Sequence, residues 1–186
     1  MTKHRAAPEP VAAHGFRRMV PVAKIGEAGF VQTIAAKPGE FQKIADYLEL
    51  AGIGALSAEV GLARWRGKGV RVNGKLKADI TQTCVVTLDP VAAHVEAEFE
   101  RRFLPDVEEE STDVFVDPEG EDPAEPLGRD IDIGEILVEE LALNLDPYPR
   151  KPGVEFQTAE DAAPPSPREN PFAALAKLKP KPEKKA

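Results

Sequence analysis

The sequence predicts an α+β domain in which two helices pack on a hairpin-rich antiparallel sheet. Residues 70–103 largely alternate apolar and polar side chains, which is typical of strands with one buried face. Residues 40–50 and 133–143 instead repeat apolar side chains at helical spacing. Short turns separate the strands, and short connections join antiparallel neighbours. Each helix needs an apolar surface to cover, and the sheet supplies it.

The N-terminal half contributes three strands and one helix to this prediction. Strands are predicted at residues 19–25 and 30–35, because glycines separate two short apolar runs. A helix at 40–50 follows a proline and a glycine, and two further glycines end it. Residues 56–62 then alternate apolar and polar side chains, which predicts another half-buried strand.

A hairpin is predicted within residues 70–86, with Asn73 and Gly74 at its turn. This dipeptide favours the positive φ angles that tight hairpin turns require. Beyond the turn, Cys84 lies on the apolar face of the strand. A buried thiol packs as a small hydrophobic group and burial raises its pKa, so Cys84 is predicted to be structural. A further strand follows at residues 91–103.

The most regular segment is the helix predicted at residues 133–143. Asp132 is placed to cap its first turn, and Glu135 stands three residues on, where it can reach back. The apolar stripe includes Ile136, Leu137 and Leu141, which are therefore predicted to be structural. Two prolines within residues 146–149 end the helix.

Composition divides the chain into one domain with two tails. The domain is predicted at residues 19–153 and contains an acidic, flexible loop at 106–126. The loop is either simply solvated or an electrostatic mimic of nucleic acid. Disordered tails are predicted at 1–18, which is basic, and at 154–186. Within the second tail, residues 170–179 form a short amphipathic motif whose candidate partner-docking side chains are Phe172, Leu175 and Leu178.

The net charge of −8 disfavours a generic polyanion binder, but the charge is unevenly distributed. Residues 64–77 contain six bases and no acid, and a hairpin would bring them together. Arginine forks bind phosphate oxygens and an exposed tryptophan can stack an unpaired base. In the alternative interpretation the bases solubilise an edge strand and the tryptophan belongs to the core. The candidate RNA-binding residues are Arg64, Trp65, Arg66, Lys68, Arg71, Lys75 and Lys77.

Other classes of protein find little support in the sequence. One cysteine and three scattered histidines provide no metal-binding spacing, and no cofactor motif is present. Carboxylates are numerous, but no motif places two of them in a shaped, apolar site. Because no catalytic constellation is present, the chain is predicted not to be an enzyme. No apolar run reaches the length of a membrane span. A reducing cytoplasm is the expected location.

Three segments resemble the YceD family of large-subunit ribosomal RNA accumulation proteins. They are VNGKLKADITQTCVVTL at 72–88, AEFERRFLP at 97–105 and DIDIGEILVEELALNLDPYPRKPG at 130–153, and the motif NPFAALAKLK at 170–179 is similar too. The resemblance implies a bacterial, non-enzymatic factor in accumulation or processing of this RNA during ribosome biogenesis. It would contact RNA or a pre-ribosomal particle through residues 64–77. The alternative is a protein–protein adaptor that recruits a ribonuclease or assembly factor without binding RNA.

Overall fold

The structure is a computed structural model that describes residues 14–105 and 124–154, and it confirms the predicted α+β class. Its described residues up to Pro152 belong to one compact unit. Residues 106–123 of the acidic loop predicted at 106–126, the outer parts of both tails, and Phe172, Leu175 and Leu178 lie outside the described residues. At the end of the predicted loop, Glu125–Pro126 form a short strand instead.

The main sheet has five strands in the order β2-β3-β4-β5-β6. The first four pair antiparallel with their sequence neighbours, and the short β6 adds to β5 in parallel. A separate antiparallel pair joins β1 to β7. The strands are β1 (Met19–Pro21), β2 (Phe30–Ala35), β3 (Gly52–Trp65), β4 (Gly69–Thr83), β5 (Pro90–Leu104), β6 (Glu125–Pro126) and β7 (Asp130–Asp132).

Two helices cover one face of this sheet and leave the other face open. Helix α1 (Pro38–Tyr47) contacts β3, whereas α2 (Ile133–Leu143) contacts β4 and β5. The predicted apolar stripe of α2 is confirmed, because Ile136, Leu137 and Leu141 are all buried. Burying each such side chain contributes roughly 1.5–3 kcal/mol to folding. On the open face, alternate residues of β3, β4 and β5 point towards solvent.

The predicted turn at Asn73 and Gly74 is wrong, because both residues lie within β4. The turn that joins β3 to β4 occupies residues 66–68, where Arg66 and Gly67 have φ angles of 42° and 76°. Gly74 serves packing instead. A Cβ atom there would lie 2.7 Å from the Phe99 ring and 2.7 Å from the Glu59 carbonyl oxygen. The glycine therefore lets neighbouring strands and an aromatic ring approach closely.

The predicted cap of α2 is confirmed at Asp132, whose carboxylate accepts a hydrogen bond from the Gly134 N–H at 3.0 Å. The same carboxylate accepts from the Arg18 N–H at 2.8 Å and pairs with the Arg17 guanidinium at 3.0 Å. Glu135, expected to complete the capping box, is exposed. Asp132 therefore links the helix to the N-terminal segment as well as capping it.

Residues 14–18 were expected in a disordered tail, but they pack into the domain. Phe16 is fully buried, and the Arg18 carbonyl accepts a hydrogen bond from Ile133 N–H at 3.0 Å. The segment crosses the first turn of α2 so closely that a Cβ atom on Gly134 would lie 2.2 Å from the Phe16 carbonyl oxygen. The ordered domain thus begins before residue 19, and a glycine in α2 makes room for it.

One arginine on the covered face ties together three elements. Arg101 of β5 pairs with Glu125 of β6 and with Glu139 and Glu140 of α2, the last two at 2.8 Å and 3.1 Å. These carboxylates raise the pKa of Arg101, first through the hydrogen bond to Glu125. Glu140 is buried, and a buried carboxylate needs such a partner. Arg101 therefore fixes the edge of the sheet against α2.

Candidate nucleic-acid interface

The seven candidate RNA-binding residues all lie on β3, β4 and the turn between them, but they do not form one surface. Four of them lie at or near the turn, two lie midway along the open face of the sheet, and one faces the covered side. Strand register adds Arg102 of β5, which lies opposite Arg71. We define the basic tip as Trp65, Arg66, Lys68, Arg71 and Arg102.

Arg64 does not belong to this surface. Its guanidinium donates hydrogen bonds to the carbonyl oxygens of Ile25 at 2.9 Å and Val22 at 3.1 Å. These carbonyls lie in and just after a 3₁₀ turn, Val22–Lys24. Arg64 thus satisfies backbone acceptors on the covered side of the sheet, a structural role that the count of basic residues could not reveal.

Trp65 is half-buried, and two guanidinium groups lie near its ring. The Arg66 guanidinium carbon is 4.5 Å from the ring centroid and that of Arg102 is 5.6 Å away. Both distances fall within the range of cation–π attraction. An incoming base would therefore either displace an arginine from the ring or stack on the guanidinium plane, which also stacks bases.

The two arginines Arg71 and Arg102 are direct cross-strand partners on β4 and β5. Like charges in this position repel each other. Glu100 relieves part of the repulsion, because its carboxylate accepts a hydrogen bond from Arg102 Nε at 2.8 Å. Among the described residues, neither Arg71 nor Lys68 forms a salt bridge. Both cations are exposed and lie beside other positive groups, an arrangement that favours binding of an anion.

Lys75 and Lys77 lie further along β4, where acidic residues of β5 pair with them. Lys75 Nζ is 3.1 Å from Glu98, and Lys77 Nζ is 2.8 Å from Glu96. The hydrogen bond to Glu98 raises the pKa of Lys75. The hydrogen bond from Lys77 lowers the pKa of Glu96. This part of the open face is consequently close to neutral, not basic.

The next cross-strand pair continues the alternation of charge. His94 Nδ1 lies 2.6 Å from Asp79 Oδ1, and His94 Nε2 lies 3.4 Å from Glu96. Hydrogen bonds to Asp79 and then to Glu96 raise the pKa of His94. All three side chains are substantially exposed, so the pair adds little to stability.

Cys84 is buried as predicted, but its predicted pKa shift has the wrong sign. The sulfur lies just after β4 and accepts hydrogen bonds from the backbone N–H groups of Thr87 at 3.5 Å and Lys151 at 3.4 Å. Hydrogen bonds from the side chain and backbone of Thr87 are the main reason that the pKa falls to about 6. The residue has no exposed surface, so it is closed to solution reagents in the folded state.

In residues 14–105 and 124–154 no three potential metal-ligating side chains form a cluster that could hold an ion. Neither helix described there is long and apolar enough to cross a membrane.

The C-terminal part of the chain matches a protein-family model. Residues 72–179, more than half of the chain, match the model described as large ribosomal RNA subunit accumulation protein YceD. The matched range includes Arg102 and α2, whereas the other residues of the basic tip precede it. No curated protein and no solved structure matches the chain.

Proposed function

The chain belongs to the YceD family of large ribosomal RNA subunit accumulation proteins, and we propose that it supports this accumulation by contacting RNA or a pre-ribosomal particle through the basic tip. In this proposal the protein acts in the cytoplasm and has no enzymatic activity. The α2 helix and the covered face of the sheet serve as the scaffold that holds the tip.

The observation that carries the proposal is the pairing of Arg71 with Arg102 across neighbouring strands. A protein with a net charge of −8 places two arginines side by side and adds Arg66 and Lys68 in the adjacent turn. Guanidinium groups bind phosphate oxygens through two parallel hydrogen bonds. A bound phosphate would also reduce the repulsion between the two arginines. Binding an anion should therefore lower the free energy of the basic tip by more than it would for isolated cations.

Two double variants with equal charge change test this proposal. Lys68→Gln/Arg71→Gln removes two positive charges from the tip, and Lys75→Gln/Lys77→Gln removes two from the middle of the same strand. Affinity for transcribed large-subunit ribosomal RNA is measured by filter binding over a range of salt concentrations. Because both variants change the net charge equally, any difference in their RNA affinity must come from the position of the lost charges.

We expect the tip variant to bind RNA about tenfold more weakly than the parent and to reduce the salt slope by about 1.4, since two phosphate contacts are lost. The control variant should lose less affinity, because Glu96 and Glu98 already neutralise its lysines. Equal affinity of the tip variant and the parent would contradict the proposal. The adaptor function, without direct RNA binding, would then be the better account.

A further inference from the structure

The two edge strands of the main sheet differ in how far other parts of the chain cover them. At one edge, β6 pairs with β5 and Arg101 ties both to α2. At the other edge, β2 has the sequence FVQTIA, with no charged residue and no proline. Natural sheets usually protect an edge with charges, prolines or bulges, because an open strand invites pairing with another chain. The β2 strand itself carries none of these protections, and Arg18 covers only its last residue, Ala35.

In β2, the backbone N–H and C=O groups of alternate residues point away from β3, towards the unpaired edge of the sheet. The hydrogen bond from Ala36 N–H to the Leu56 carbonyl, at 2.9 Å, fixes which residues face β3. By antiparallel alternation, the backbone groups of Val31, Thr33 and Ala35 face away from β3. Arg18 donates to the Ala35 carbonyl from that side at 3.2 Å, which agrees with this assignment. Within the described part of the chain, the backbones of Val31 and Thr33 have no partner there.

The space beside β2 can receive another strand. A groove of about 530 Å³ runs along Gln32–Ala35, and its border consists of Arg18, Met19, Val20 and Lys37. Met19 at the border of this groove is 41% exposed, and Val31, which belongs to the open face of the sheet, is 67% exposed, so apolar surface lies open on both sides of the strand. An added strand would pair the open N–H and C=O groups and cover part of this surface.

The charges that flank β2 indicate which strand this is. Glu27 precedes β2 and Lys37 follows it; both are exposed, and neither forms a salt bridge with a described residue. We propose that β2 pairs antiparallel with β2 of a second copy of this chain, with Val31 opposite the partner's Thr33. In an antiparallel pair, the residues that precede one strand lie at the same end as those that follow the other strand. The turn that holds Glu27 and the partner's Lys37, at the start of α1, are therefore brought to the same end of the interface, and this happens at both ends.

A second copy fits this edge better than a strand of another protein, because the edge is complementary to itself. The open strand is uncharged and therefore selects no strongly charged partner. Its flanks carry opposite charges, which attract only when the strands run antiparallel and centre on Gln32. The dimer would contain one continuous sheet with the two basic tips at opposite ends.

Sedimentation velocity of the full chain, from micromolar to near-millimolar concentration, tests the proposal. The parent should dimerise as its concentration rises. Thr33→Pro removes an outward N–H and should abolish the dimer, whereas the unfolding curve should be retained because this N–H is not part of the β3 ladder. Thr33→Ala keeps the N–H and should still dimerise. A parent that stays monomeric, or a folded Thr33→Pro variant that still dimerises, would overturn the proposal.

Charge reversal tests the register and does not depend on whether Thr33→Pro folds. Lys37→Glu places like charges together and should raise the dimer dissociation constant about tenfold. Adding Glu27→Lys to the same chain restores opposite charges and should restore the dimer. A dimer that Lys37→Glu leaves unchanged would refute the proposed pairing.

Discussion

A pair of matched glycine substitutions tests how the N-terminal segment docks on α2. Gly39 and Gly134 both occupy the first turn of a helix, in α1 and α2 respectively. A Cβ atom on Gly39 would meet nothing within 4 Å. A Cβ atom on Gly134 would lie 2.2 Å from the Phe16 carbonyl oxygen and 3.1 Å from the Arg17 Cα. The same change of one methyl group is therefore harmless at one site and obstructed by backbone at the other.

The two substitutions should change the free energy of unfolding in opposite directions. Gly39→Ala should stabilise the fold by about 0.4–1 kcal/mol, because alanine reduces the entropy of the unfolded chain. Gly134→Ala must push the N-terminal segment away from the helix. That movement strains the hydrogen bond from Ile133 to Arg18 and the bond from Arg18 to Asp132. Overpacking and weakened bonds together should cost about 2–4 kcal/mol.

Urea denaturation of both variants and the parent measures these differences. The midpoint should rise slightly for Gly39→Ala and fall clearly for Gly134→Ala. The slope of the free energy of unfolding against urea concentration should be the same for all three proteins if the substitutions affect only the native state. If Gly134→Ala is as stable as Gly39→Ala, the close crossing of Phe16 over α2 does not exist in solution.

Two further predictions concern the core of α2 and the open face of the sheet. Leu137→Ala should lower the free energy of unfolding by about 2–5 kcal/mol, since this side chain is fully buried. Leu143→Ala, at a site that is 75% exposed, should change it little. If the two variants are equally stable, the face of α2 that contains Leu137 does not pack in the core. His94 should titrate above its ordinary pKa in an NMR titration, and Asp79→Asn should lower that pKa, because Asp79 is the main cause of the shift. Because the pKa of His94 is raised in the folded state, its contribution to stability is complete below the unfolded-state pKa and is lost as pH rises through the folded-state pKa. If Asp79→Asn leaves the titration of His94 unchanged, the contact between the two side chains does not form in solution.

Local signals predicted the elements that depend on nearby residues. Helix α2 spans Ile133–Leu143 as predicted, because its cap and its apolar stripe are both encoded within a few residues. The turn of the β3–β4 hairpin was misplaced because Asn73 and Gly74 carry a strong turn signal, yet Gly74 is required by Phe99, a residue of another strand. A distant contact therefore overrode a local preference.

The candidate site depended on strand register, which the sequence pattern did not specify. Only the pairing of β4 with β5 places Arg102 opposite Arg71. The same pairing provides Glu98 and Glu96 as partners that remove Lys75 and Lys77 from the basic surface. Counting bases along the chain therefore selected Arg66, Lys68 and Arg71 but overestimated the extent of the positive surface.

The docking of the N-terminal segment on α2 has a consequence for the order of folding. Arg17 and Asp132 are 115 residues apart in the sequence. During synthesis the N-terminal segment leaves the ribosome first, but the helix that holds it is made much later. Contacts across such a separation carry a large loop-closure cost and form slowly. The β3–β4–β5 hairpins, whose contacts are local, can form earlier, so Phe16 would remain uncovered until most of the domain has been translated.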